Sequence, residues 1–232
     1  MRFKEEVRKD LSLSRLICII GIDGSGKTVH TKTLLSELKI SGRKCKYVWF
    51  REPYFFAFPL MYVSRILHFT KITHLPNKQI QSEHRYYVKP IALVWPWVRL
   101  VDLIIWIIWQ VYIPTWRGFV VLCDRFIHDI LVDTMIDINN LKLYNTLVGQ
   151  LMLKLIPSFS TVVMLDISEI AAFQRKGDIT HLNHLVARRR LYHEIAFYLK
   201  IPVINTDKPF NSVHKDLQDI LISLGKHMEI DR

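Results

Sequence analysis

Lys27 and Thr28 close the octapeptide GIDGSGKT, residues 21–28, which satisfies the spacing G-x-x-x-x-G-K-[ST]. The apolar run RLICII precedes it, and the segment from Thr28 to Lys39 reads as a helix, so the motif has the strand-then-helix setting its chemistry needs. Gly21, Gly24 and Gly26 permit left-handed turns, which let successive backbone N–H groups converge on phosphate oxygens at a helix N-terminus. Asp23 and Ser25 fill variable positions of the loop, Lys27 would reach the β- and γ-phosphates, and Thr28 would offer its hydroxyl to Mg²⁺. These residues predict binding of a nucleoside triphosphate.

Two further groups point toward the same chemistry. Asp124-Arg125-Phe126 follows the apolar run FVVLC, where a carboxylate at a strand tip can hold a metal-bound water and an arginine can grip a phosphate with two parallel hydrogen bonds. Arg51, with Glu52 and Pro53 after it, ends the run CKYVWF. It would aim a guanidinium at a second anionic substrate, or else form an ordinary surface ion pair with Glu52.

Five short apolar runs would carry these groups: residues 15–20, 45–50, 119–123, 161–166 and 202–205. They are β-branched and largely unalternated, as strands of a parallel sheet covered on both faces should be. Helical segments separate them. The first ends near Gly42, and the last begins at Asn211 and Ser212, carries Val213, Leu217, Ile220, Leu221 and Leu224 on one stripe, and stops at Gly225. The pattern predicts an α/β, three-layer P-loop NTPase fold: a mostly parallel five-stranded sheet with helices on both faces and the ligand site at its C-terminal edge. At 232 residues the chain suits one domain, residues 1–232.

An insertion over about 53–118 is expected to hold two or three helices, among them IALVWPWVRLVDLIIWIIWQVYIPTW, residues 91–116, with five of the six tryptophans. Pro96, Arg99, Asp102 and Gln110 break this apolar run below the length of a membrane span. It reads as a helix buried against the sheet and a second subunit, or as one lying at a membrane surface.

The excess of 32 Lys and Arg over 21 Asp and Glu, a formal +11, favours anionic partners. Neither base-reading runs nor Cys/His zinc spacing accompany it, which argues against a nucleic-acid role. Three cysteines, Cys18, Cys45 and Cys123, fit small buried groups in a reducing, cytoplasmic compartment. Arg15 interrupts the apolar part of the N-terminal segment, so it does not read as a signal peptide.

Taken together, G-x-D-G-x-G-K-T, F-R-x-P after the second strand, an aromatic-x-x-x-Arg pair before the third and Asp-Arg-aromatic after it resemble the thymidylate kinase family over nearly the whole chain. The resemblance implies ATP and Mg²⁺ as cofactors, dTMP as acceptor and a homodimer. Asp23 would face the deoxyribose and acceptor phosphate, Arg51 and Arg125 would hold the monophosphate, Trp95 would stack on the base, and Arg99 would bond its edge. Trp95 and Arg99, four residues apart, share a helix face, and packing with a snorkelling arginine explains the pair equally well.

A lid over about 172–190 is implied too, with Arg175 beside Lys176 closing on the transferring phosphoryl group and Arg188, Arg189 and Arg190 in reserve. The catalytic set is then Lys27, Asp124 and Arg175, with Thr28 and Asp124 at the metal. Asn205, Thr206 and Asp207 stand where such folds meet adenine, or form a turn. Where the family has a small polar residue after Asp-Arg-aromatic, this chain has Asp129 and Asp133, which would suit a base or sugar presenting donors. The alternatives are a P-loop kinase for another nucleotide, one for a membrane-associated metabolite reached by peripheral contact, or a nucleic-acid-associated NTPase.

Overall fold

In a computed structural model, the described residues are 15–50, 56–59, 62, 70–74, 80–84, 89–176 and 182–230. Strand β1 (Leu16–Ile20) leads through the glycine loop into helix α1 (Lys27–Ile40) and strand β2 (Cys45–Trp49). A two-stranded antiparallel hairpin follows, β3 (Thr70–His74) paired with β4 (Ile80–His84). Helix α2 (Lys89–Ile107) continues through a π-helical turn (Ile108–Tyr112) into the short α3 (Ile113–Trp116). Then come β5 (Val120–Asp124), α4 (Ile127–Asp137), α5 (Leu147–Lys154), β6 (Ser160–Asp166), α6 (Glu169–Lys176), α7 (Leu182–Leu199), β7 (Val203–Asn205) and α8 (Phe210–Ile230).

The main sheet has the order β2-β5-β1-β6-β7, and every pairing in it is parallel. Its strands match the five apolar runs to within one residue at each end. Successive side chains of β1 enter opposite layers, as a strand's two-residue period demands. Ile17 and Ile19 pack with Leu34 and Leu38 of α1 and Val213 and Leu217 of α8. Leu16, Cys18 and Ile20 pack with Leu103 of α2, Ile130 of α4 and Ile195 of α7. The fold is thus the three-layer P-loop architecture, with Cys18 and Cys123 buried as paired neighbours and Cys45 half-buried.

Three expectations need correction. The insertion contains the β3–β4 hairpin as well as helix, and its strands pair across a connection containing Pro76 and Asn77. Helix α8 runs through Gly225 to Ile230, since one helical glycine costs only about 1 kcal/mol. Nor do Pro96, Arg99 and Asp102 break the long apolar segment: Ile91–Trp116 is continuous, and long and apolar enough to cross a bilayer by length and composition. The charged residues face inward instead, Arg99 at 1% and Asp102 at 0% exposure. Asp102 accepts the backbone N–H groups of Phe56 (2.8 Å) and Ala57 (3.0 Å), which ties the start of the insertion to α2.

The π turn has a local cause. Pro114 has no N–H to give the Gln110 carbonyl one turn earlier, and Lys46 Nζ, from β2, donates 3.5 Å to that oxygen and 2.7 Å to Gln110 Oε1.

Candidate functional site

The glycine loop is held open by backbone conformation. Gly21, Gly24 and Gly26 have φ of 136°, 87° and 87°, all in the region that favours glycine. Sterics reinforce this at the first two: a Cβ on Gly21 would lie 2.2 Å from Leu165 O, and one on Gly24 2.9 Å from Ala172 O. The loop therefore wraps closely over the tips of β6 and α6.

Lys27 is 5% exposed and donates 2.6 Å to Ile22 O. Burial and the nearby Arg125 lower its pKa to about 8, while Asp23, Asp129 and Asp124 pull the other way. An ammonium so poorly solvated gains strongly from an anion placed beside it.

Asp124, at the tip of β5 and 1% exposed, accepts through one oxygen, Oδ2, from Thr28 Oγ1 (2.5 Å) and Tyr47 OH (3.0 Å). Burial, then Asp124, push the Tyr47 phenol well up, so it stays a donor. The other oxygen, Oδ1, is buried and has no hydrogen-bond partner among the described residues.

Arg125 turns away from the strand with φ of 73°, a conformation that costs a non-glycine residue about 1–2 kcal/mol. Its N–H still donates to Ile19 O (3.0 Å), its Nη2 pairs with Asp23 Oδ1, and its Nη1 lies 3.5 Å from Asp129 Oδ1. Burial opposes the guanidinium charge, but Asp23 and Asp129 outweigh it and raise the pKa.

Asp129 is itself fully engaged. Tyr192 OH donates 2.6 Å to Oδ1 and the Phe126 N–H 2.9 Å to Oδ2. Burial raises its pKa to about 6 against Arg125 and Lys27. Asp133 pairs with Arg188 Nη2 at 2.5 Å. The two carboxylates that were expected to read a base or sugar instead tie α4 to α7 and brace Arg125.

A cleft of about 540 Å³ collects Asp23, Lys27, Thr28, Arg125, Arg175 and Thr206, with Trp49 and Phe210 on its walls. Arg175 Nη2 donates 3.1 Å to Thr206 O. The reserve arginines are committed elsewhere. Arg188 holds Asp133, Arg189 grips Asp166 with bonds of 2.8 and 2.7 Å and Glu169 at 2.9 Å, and Arg190 pairs at the surface with Glu194. Of the predicted adenine residues, Thr206 lines the cleft. Asn205 Oδ1 caps the Asp207 N–H (2.8 Å) in a side-chain-supported turn.

Trp95 and Arg99 do not line this cleft. Trp95 is 0% and Arg99 1% exposed, with the guanidinium carbon 5.4 Å from the indole centroid. A ring with no accessible surface offers no face to a base in this conformation, and the arginine is buried rather than snorkelling. Arg51 lies outside the described residues.

Sequence reasoning missed Tyr47, Tyr192 and an aromatic ladder at the cleft edge. Phe210 stacks on His30 at 4.5 Å, and His30 on His214 at 5.6 Å. His214 bonds Glu37 at 3.1 Å, and burial followed by His214 lowers the His30 pKa to about 4. The two-residue period of β2, which puts Tyr47 on the same face as Trp49, was the one available signal.

No family model and no curated protein matches this sequence. Among solved structures, the chain is similar to a thymidylate kinase from Ehrlichia chaffeensis, with a TM-score of 0.52 and 16% identity over 89% of this chain and 97% of that one. At that identity the likeness establishes the fold, a P-loop α/β architecture shared with a nucleotide kinase.

Proposed function

We propose that the chain is an ATP-dependent kinase that transfers a phosphoryl group to a nucleoside monophosphate, with dTMP the favoured acceptor. One observation carries this reading: Lys27 and Thr28 from one segment and Asp124 and Arg125 from another converge where the glycine loop meets the tip of β5. The shared architecture of the Ehrlichia chaffeensis enzyme supports it.

The donor set suits Mg²⁺. Oδ1 of Asp124 is a buried oxygen without a hydrogen-bond partner among the described residues, on the carboxylate that the Thr28 hydroxyl bonds, and hard cations of this kind take a few oxygen ligands from protein and the rest from phosphate and water. Thr28 can donate to Asp124 while a lone pair faces the metal. When bound, the ion would neutralise charge shared between the β- and γ-phosphates.

The remaining work belongs to the chain's own groups. The glycine loop and Lys27 would hold the triphosphate. Arg125, fixed by Asp23 and Asp129, would aim the acceptor phosphate, and Arg175 would meet charge on the transferring group. Phosphoryl transfer needs little else than such positioning and charge neutralisation.

Burial of Trp95 and Arg99 favours a second reading, in which the same chemistry serves an acceptor other than dTMP. A coupled assay of ADP release across the nucleoside monophosphates separates the two. Turnover fastest with dTMP supports the first, turnover with another monophosphate the second, and ADP release with none of them removes the acceptor class altogether.

A further inference from the structure

Helix α2 and its continuation to Trp116 are arranged inside out. Between residues 91 and 116 every exposed side chain is apolar, along a stripe from Leu93 through Trp97, Val101, Ile105 and Trp109 to Trp116. Arg99 and Asp102, the charged residues between 91 and 116, are on the buried face, and Gln110 is bonded by Lys46. A surface helix whose only business was to cover a core would show the opposite polarity.

The open area is large. Leu93 is 72%, Trp109 68% and Trp116 76% exposed, and with roughly 150–250 Å² for a whole large side chain the stripe leaves on the order of 900 Å² uncovered. Monomers rarely expose apolar patches beyond a few hundred Å². At 1.5 Å per residue the stripe is about 35 Å long.

We propose that this face docks flat on the surface of an anionic lipid bilayer. The inward bonds of Asp102 and the packing of α2 on α4 and α5 keep the helix in the fold, so it lies in the interface and does not span it. Tryptophans spaced along the stripe suit the headgroup boundary, where an amphipathic ring is most at home. Exposed Arg117 ends the stripe beside Trp116. Charge favours the lipid surface as occupant: a chain of formal +11 is attracted to an acidic surface, whereas a second copy offers no opposite charge. The inference is independent of the kinase reading.

Flotation of the full chain with vesicles of phosphatidylcholine alone, or mixed with phosphatidylglycerol, tests it. Binding is expected to the mixed vesicles, with a blue shift of tryptophan emission and weakening as salt rises. Ile105→Glu combined with Trp109→Ser should lower the partition coefficient at least tenfold while circular dichroism and melting temperature stay those of the parent. Leu93→Ser with Val101→Ser is the second variant should the first not fold. The proposal is overturned if the chain ignores both vesicle types or if folded variants bind like the parent. It is overturned equally if sedimentation shows a dimer that the same substitutions dissociate while vesicle binding is absent, which would assign the face to a second copy.

Discussion

Replacing Asp124 by Asn should separate what this carboxylate does for the fold from what it does for the reaction. The substitution keeps the shape and keeps an acceptor for Thr28 and Tyr47, whose bonds to Oδ2 are 2.5 and 3.0 Å. Exchanging a charged for a neutral acceptor forfeits about 1 kcal/mol per bond. Against this, the parent buries a carboxylate at 1% exposure whose Oδ1 has no hydrogen-bond partner among the described residues, and the amide removes the cost of burying that charge. The two effects oppose each other, so stability should stay within about 1–2 kcal/mol of the parent. Activity has no such offset. Loss of the proposed metal ligand should lower kcat at least 100-fold, about 2.7 kcal/mol of transition-state stabilisation, and raise the Mg²⁺ concentration needed for half-maximal rate. Urea denaturation and coupled ADP release on one preparation, across a Mg²⁺ titration, measure both. A variant within about threefold of the parent's rate, with unchanged Mg²⁺ dependence, would refute the placement of Asp124 at the reacting phosphates.

Gly21→Ala should destabilise the fold by about 3 kcal/mol or more, because its Cβ would lie 2.2 Å from Leu165 O at a φ of 136°; a urea midpoint equal to the parent's would contradict this. ATP affinity should fall as pH rises through about 8, where Lys27 loses its proton, by up to about tenfold per pH unit; calorimetry from pH 7 to 9.5 reads this, and a flat profile speaks against Lys27 as the phosphate contact. Arg175→Ala should reduce kcat at least about tenfold, whereas Arg190→Ala, at an exposed ion pair with Glu194, should be silent; steady-state kinetics that reverse this order would move the lid cation elsewhere.

Much of this architecture was legible because each strand is a short β-branched run that ends where the chain must turn, and because three glycines stand where φ is positive. The side on which a helix face lies was not. Trp95 and Arg99 do share a face, but charge ordinarily marks the wet side of a helix, and here that inference inverts. Partners distant in sequence were hidden as well. Asp129 and Asp133, one turn apart on α4, meet Tyr192 and Arg188, one turn apart on α7, and no local pattern announces such a match. The hairpin escaped because its ten paired residues lack a strong apolar alternation, leaving Pro76 and Asn77 as the sole cue.

Calorimetric titration of the parent and of Lys27→Ala with ATP and Mg²⁺ tests the central claim, that the glycine loop and its buried lysine form a cradle for a triphosphate. The parent should bind with a measurable heat, and the variant at least about 100-fold more weakly, since a desolvated charge contact of this kind is worth roughly 3 kcal/mol. No heat with the parent, or equal affinity in the two proteins, would contradict the account.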